Sequence, residues 1–401
     1  MADLTTRCCV VGAGPAGMML GFLLARADID VIVLEKHADF LRDFRGDTVH
    51  PSTMQVMHEL GLLDAFLARP HSEVRTLAAQ IGDESFQVAD FSHLPTRAKF
   101  VAFMPQWDFL DFLADHAKRM PKFRLMQRIE ATDLLRDADR VTGVTTHGPD
   151  GVQRIDAELV IACDGRHSTI RDAAGFQIVD RGAPMDVLWL RISKRPSDPG
   201  QTLGRIEAGR VFIMLDRNDY WQCAYVIAKG GIDEVHARGL DAFRADIARL
   251  APYLRDRVGE LATWDDVKLL TVAVNRLDTW SRPGVLCIGD AAHAMSPVGG
   301  VGINLAIQDA VATANILVPR LRQGRATSAD LEAVQRRRER PTRLTQALQV
   351  AIQNRVISAT LARTTAPKPP LALRLARRFP QLCRLPARII GMGFRPEHIR
   401  H

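Results

Sequence analysis

The six cysteines of this 401-residue chain include no CxxC pair, and Cys8, Cys9, Cys163, Cys223 and Cys287 sit in apolar, strand-like runs where a thiol is a small core residue. That spacing argues against a redox dithiol and a zinc centre, so no metal site is expected. No apolar run reaches the roughly 18 residues that span a bilayer. The opening MADLTTRCCVVGAG lacks a charged segment followed by an apolar stretch and a cleavage site, and a cytoplasmic protein is expected. There is no recognisable nucleic-acid-binding module, no internal repeat and no long low-complexity segment. No Ser/His/Asp arrangement or paired carboxylates stand out either, so the sequence names no catalytic side chain.

What is present is ordinary globular composition, 47% hydrophobic and 25% charged, in a chain long enough for two or three domains or one domain with a large insertion. The net charge of +7 is unevenly placed. From Pro319 onward there are 18 Lys and Arg against 4 Asp and Glu, so the basic character belongs to the C-terminal region and the rest is acidic. A solvated helical face or an attraction to anionic partners both explain such a region.

The hydrophobic pattern predicts a strand over 7–11, an apolar helix over 18–26 and a second strand over 31–34, a βαβ unit. Helices follow over 48–68, broken near Leu60-Gly61-Leu62, and over 105–119. Short strands separated by turn clusters between 125 and 162 suggest an antiparallel layer. From Asp186 to Val274 the texture becomes β-rich. A buried strand returns at 285–289 and a helix at 302–318, before an Arg-rich helical tail. The expected division is a discontinuous domain of residues 1–180 and 275–320, a β-rich domain of 181–274 and a basic helical region of 321–401.

In the βαβ unit, Gly12 permits a tight turn, Gly14 lets backbone approach a pyrophosphate, and Gly17 lets the helix pack on the sheet, with Pro15 and Ala16 between them. The helix N-terminus favours the negative charge of phosphates. Glu35, followed by Lys36, ends the second strand where a carboxylate accepts hydrogen bonds from a ribose. Strand, helix, second strand and acid in register point to a bound dinucleotide.

A second glycine-bearing turn runs from Gly289-Asp290 through Pro297, Gly299, Gly300, Val301, Gly302, Ile303 and Asn304 into a helix. This segment resembles the GD motif of FAD-dependent monooxygenases of the aromatic hydroxylase class, the family of p-hydroxybenzoate hydroxylase and the ubiquinone-biosynthesis hydroxylases. Cys163-Asp164-Gly165 resembles that family's DG motif, Arg45-Gly46 its arginine near the flavin, and Gln106 opens the helix whose family counterpart contacts FAD. The resemblance covers residues 5 to 320. It implies an α/β fold, a Rossmann-like FAD-binding domain with an inserted β-sheet substrate domain. It places Asp290 at the ribityl and diphosphate region, and Gly299 to Asn304 at the pyrimidine edge of the isoalloxazine. Simpler roles stand beside these: Asp164 as a helix cap, Arg45 in a surface ion pair, His50 as pocket lining or cap, and His293 as a packed side chain rather than a base.

The activity so implied is hydroxylation of an aromatic, quinone-like or other electron-rich small molecule with NADH or NADPH and O2, through a flavin C4a-hydroperoxide. Absence of a second GxGxxG and of CxxC argues against a disulfide reductase, and absence of Gly-Trp-x-Trp-x-Ile-Pro against a halogenase. A reductase or dehydrogenase of the same fold that does not incorporate oxygen is the alternative, and a non-catalytic flavoprotein a third. Candidate substrate-pocket residues are Trp189, Arg191, Met214, Trp221 and Tyr225, with Arg191 or Arg217 as partners for a substrate carboxylate. The run Pro370 to Phe379 alternates apolar and basic residues and suits weak peripheral contact with anionic lipid.

Overall fold

The computed structural model describes residues 3–41, 48–200, 203–365 and 368–400. Arg45 therefore lies outside the described residues. The uninterrupted apolar runs Cys8 to Val11 and Val31 to Leu34 behave as parallel strands covered on both faces do. Leu4–Val11 pairs in parallel with Val31–Glu35 on one side and with Gly151–Ala162 on the other. Phe123–Gln127 and Val285–Cys287 extend this sheet as parallel neighbours. The expected antiparallel layer is present as Glu130–Asp137, Arg140–Gly148 and Gly151–Ala162, and the last of these continues into the main sheet.

The Pro15–Arg26 helix is buried almost throughout, from Ala16 to Ala25. It packs between the sheet and the helices Gln106–Ala117 and Gly302–Gln323. Each fully buried Leu, Met or Phe there contributes about 1.5–3 kcal/mol of transfer free energy. The expected break near residue 60 is real: helix Pro51–Glu59 stops, Gly61 takes φ +73°, and Leu63–Leu67 begins a new helix. Among the described residues one stretch, Val298–Gln323, is apolar and long enough to cross a membrane by composition, but 83% of its apolar window is buried inside the protein.

The second layer is a seven-stranded sheet in the order Lys268–Leu270, Met185–Ser193, Tyr220–Ala228, Arg210–Asp216, Leu203–Glu207, Thr76–Ile81, Glu84–Asp90. Its last two strands come from upstream of the 181–274 span in which the sequence placed this layer. They join through a parallel pairing of Thr76–Ile81 with Leu203–Glu207. Alternation gives the sheet two faces. The outer face carries Leu188, Leu190, Phe212, Met214, Trp221 and Tyr225 and is covered by Phe243, Ile247 and Leu250 of the helix Leu240–Leu250. The inner face carries Val187, Trp189, Ile213, Ala224 and Val226, which share a cluster with Val298 of the glycine loop.

The basic region is helical but not separate. Ser328–Ile352 packs along Gly302–Gln323, and the chain then returns so that Arg384–Met392 lies against Pro51–Glu59.

Candidate active site

The first glycine turn is built on close approach. Gly12 has φ +97°, and a Cβ there would sit 2.5 Å from the carbonyl oxygen of Cys163. This contact brings the two strand ends of the DG and GxGxxG motifs together, and Cys163 N–H donates to the Val11 carbonyl at 2.7 Å. A Cβ on Gly17 would lie 1.9 Å from the Gly12 carbonyl oxygen, whereas one on Gly14 would meet nothing within 4 Å. The open side of the turn is thus at Gly14, where the helix N-terminus begins with Pro15 as its first residue. Glu35 accepts from Ala13 N–H at 3.3 Å and from His37 N–H at 3.1 Å, so its buried carboxylate borders that opening. Lys36 points away and lies 3.9 Å from Glu130. Gln106 is the first residue of the Gln106–Ala117 helix.

Ser168 caps the short helix Thr169–Ala173, and Asp164 supports that cap, accepting from the Ser168 hydroxyl at 2.5 Å and from Ile170 N–H at 3.2 Å. Burial raises its pKa above the ordinary carboxylate value, against the pull of those donors. Arg166 on the same turn reaches Asp290 at 3.5 Å, which joins the DG and GD motifs across the sheet. Asp290 remains partly exposed, unlike Gly289 beside it, which is wedged against Ala16 and Ala306.

The loop from Pro297 is shaped by two left-handed glycines, Gly299 at φ +81° and Gly300 at +63°. A Cβ on Gly300 would come within 2.6 Å of the Thr48 hydroxyl, which instead donates to the Gly300 carbonyl at 2.9 Å. Helix Gly302–Gln323 starts at once, with no side-chain cap, so its first N–H groups have no intrahelical acceptor. Ile303 is buried at this end. The Asn304 amide oxygen accepts from Ser52 at 2.6 Å and Thr53 at 2.9 Å, which pins the helix start to Pro51–Glu59. His50 takes the N-cap position of Pro51–Glu59, but its buried side chain makes no capping bond. Its Nδ1 lies 2.7 Å from the Ile390 carbonyl, and burial lowers its pKa.

His293 is packed, not poised. Its Nε2 lies 2.6 Å from Asp309, which also accepts from Gly289 N–H at 3.1 Å and from Arg338 at 2.9 Å. Arg338 in turn reaches Glu397 at 3.3 Å, and Glu397 is held by Arg337. Asp309 is fully buried. Burial alone would raise its pKa, but His293 and Arg338 outweigh this and hold it below 3.8. Nothing in the sequence linked Arg338 and Glu397 to the GD turn, because the link is made by folding back over a long separation.

The expected pocket residues divide between the two sheet faces. Met214, Trp221 and Tyr225 do not face the glycine loop. They are buried on the outer face, where Trp221 donates to Asp198 at 3.0 Å and Tyr225 lies 5.1 Å from the Phe243 ring. That correction follows from the helix Leu240–Leu250, whose apolar stripe claims this face. Trp189 lies on the inner face beside the cluster that includes Val298. Arg191 is exposed and sits 4.0 Å over the Tyr220 ring. Arg217 is buried, donates to Gln222 at 2.7 and 2.9 Å and lies over Phe103. Gln222, on the same inner face, was not anticipated; its neighbours in sequence gave no polar pattern.

These turns suit FAD. The space open at Gly14, the carboxylate at Glu35 and the uncapped helix at Gly302 offer, in order, a place for a pyrophosphate, a ribose acceptor and N–H donors for a flavin edge.

Comparison with known proteins agrees. Residues 5–348 match the family model described as FAD binding domain. The 6-methylpretetramide 4-monooxygenase of Streptomyces rimosus is 29% identical over 378 residues, covering 93% of this chain and 89% of that protein. A rifampicin monooxygenase of Streptomyces venezuelae is 28% identical over 75% of this chain, which spans only 61% of that longer relative. Among solved structures, an anhydrotetracycline hydroxylase from Streptomyces rimosus superposes with a TM-score of 0.74 at 22% identity, covering 97% of this chain and 76% of that one. The relatives support oxygen incorporation rather than the reductase alternative. With the match running through most of its length, the chain belongs to the FAD-binding-domain family and is an FAD-dependent monooxygenase of the aromatic hydroxylase class.

Proposed function

We propose that this protein uses NAD(P)H and O2 to hydroxylate a fused-ring aromatic phenol or ketone beside the 297–304 loop, on the side that faces the seven-stranded sheet. The observation that carries this reading is the cluster that Trp189 and Ile213 share with Val298, Ile357 and Leu361, an apolar wall on one side of the glycine loop. The tetracycline-type relatives support the ring class. Bound FAD supplies hydride acceptance from NAD(P)H and activation of O2.

The chain's own residues then hold, orient and keep dry. Gly12, Gly14, Pro15, Ala16 and Gly17 would hold the pyrophosphate and Glu35 the ribose, with Gln106, Asp164 and Asp290 completing the cradle and Arg166 steadying Asp290. Pro297 to Asn304 would lie at the flavin's pyrimidine edge, where the helix N-terminus favours negative charge. The apolar inner face excludes water from the reacting atoms. The six cysteines, all free and buried, support a reducing, cytoplasmic setting.

The test is turnover of the holoenzyme under 18O2 with NADH or NADPH and a panel of hydroxylated anthraquinones. One labelled oxygen per product, with reductant consumed in proportion, is the expected result. Reductant consumption that yields only H2O2 with every compound, or anaerobic reduction of the substrate, overturns the reading.

A second surface favours peripheral contact with anionic lipid. Leu371, Phe379 and Leu385 are 67%, 54% and 65% exposed, and exposed Arg374, Arg378 and Arg388 lie among them. Exposed apolar side chains interspersed with arginines along the chain suit a headgroup layer. Co-sedimentation with phosphatidylglycerol vesicles at low salt is expected and Phe379→Asp should abolish it; equal recovery with phosphatidylcholine vesicles dismisses the idea.

A further inference from the structure

A cavity of about 300 Å³ lies beside the glycine loop, on the side walled by the C-terminal region. Its walls include Leu77, Val301, Leu348, Ile352, Ile390 and Phe394, so four separated parts of the chain enclose it, among them the hairpin that ends the seven-stranded sheet. No strand of the 181–274 span contributes. Leu348 and Phe394 are 36% and 39% exposed and mark where the cavity meets solvent. The volume is at the lower end of the range that takes a small organic ligand.

Polar groups in this wall are almost all committed. Arg338 is bound to Asp309, Glu397 and the Arg395 carbonyl, Gln349 to the backbone of Ser296 and Val298, and Thr345 to the Pro341 carbonyl. The Arg395 side chain lies at the exposed rim, and Gln308 keeps a buried donor. Its amide oxygen accepts from Glu397 N–H, which fixes the amide orientation and leaves Nε2 as donor. That Nε2 is buried and has no hydrogen-bond partner among the described residues. A buried donor left unpaired costs about 1–3 kcal/mol, which an acceptor on a ligand in the adjoining cavity would offset.

We infer that this cavity takes the non-reacting rings of the substrate, and that a neutral carbonyl or phenol oxygen on those rings accepts from Gln308 Nε2. The inference rests on the proposed hydroxylation of a fused-ring aromatic. The cavity adjoins Val298, Gly299 and Asn304 of the loop assigned to the flavin edge, so a ligand seated there has its far end next to the reaction space. The wall selects flat, apolar, oxygen-bearing rings.

The test titrates FAD-loaded wild type, Gln308→Glu and Leu348→Trp with 1,8-dihydroxyanthraquinone and with anthracene, following ligand fluorescence. Gln308→Glu keeps the acceptor for Glu397 N–H and removes the donor. Leu348→Trp fills the mouth from a partly exposed position that tolerates bulk, so it guards against a folding failure of the first variant. Both should weaken the quinone at least about tenfold, whereas anthracene should weaken only in Leu348→Trp. Unchanged quinone affinity in Leu348→Trp, at full flavin content, overturns the inference. Failure of the hydroxylation reading looks different: the quinone binds and responds to both variants, yet no label from 18O2 reaches any product.

Discussion

Gly14→Ala should leave the fold standing and strip it of flavin, while Gly17→Ala should damage the fold itself. At Gly14 the backbone is extended, at φ −70°, and an added Cβ meets no atom within 4 Å, so the expected loss of stability is about 1 kcal/mol, the cost of a poorer helix cap. The same methyl occupies the side of the turn that a pyrophosphate must approach, and FAD affinity should fall by tenfold or more, about 1.4 kcal/mol. At Gly17 the methyl would collide with the Gly12 carbonyl at 1.9 Å, and the strand-to-helix turn must open at a cost of about 3 kcal/mol. Thermal melting of flavin-free protein reads the first quantity and reconstitution followed by flavin absorbance the second. If Gly14→Ala holds FAD as tightly as wild type, the cradle is misplaced.

Asp309→Asn should be the most destabilising single substitution near the site, at about 3–5 kcal/mol, because it leaves the buried Arg338 cation short of a counter-charge. Arg338→Met alone should cost a similar amount, and the double substitution much less than the sum, since each single change orphans the other partner. The pH dependence has a definite sign. The folded-state pKa of Asp309 is depressed, so its contribution is complete above the unfolded value near 3.8 and is lost as pH falls below that. Denaturant titrations at pH 7 and pH 3 should therefore show wild type losing ground to Asp309→Asn in acid. Additive single and double effects at neutral pH would remove the case for a coupled network.

Much of the cofactor half was legible because its determinants are local. Gly12, Gly14, Gly17 and Glu35 lie within one βαβ unit, and each answers to a backbone requirement that a short window of sequence exposes. The same holds for the break at Gly61 and for the uncapped helix start after Gly300. The substrate half was less legible for a physical reason. Alternation along Tyr220–Ala228 separates Trp221, Cys223 and Tyr225 from Gln222 and Ala224, but does not say which set faces the flavin loop. That choice is made by the Leu240–Leu250 helix, some 20 positions later. Likewise His293 gives no local sign of its tie to Arg338 through Asp309, and Ile390 none of its reach to His50.

The pairing of Thr76–Ile81 with Leu203–Glu207 has a practical outcome for chimeras. If residues 181–274 are exchanged between relatives as one cassette, the resident hairpin must pair with a foreign strand, and a poor match there would present an edge ready to recruit another chain. A transplant that carries 76–90 along with it removes that hazard and keeps the hairpin with its partner strand.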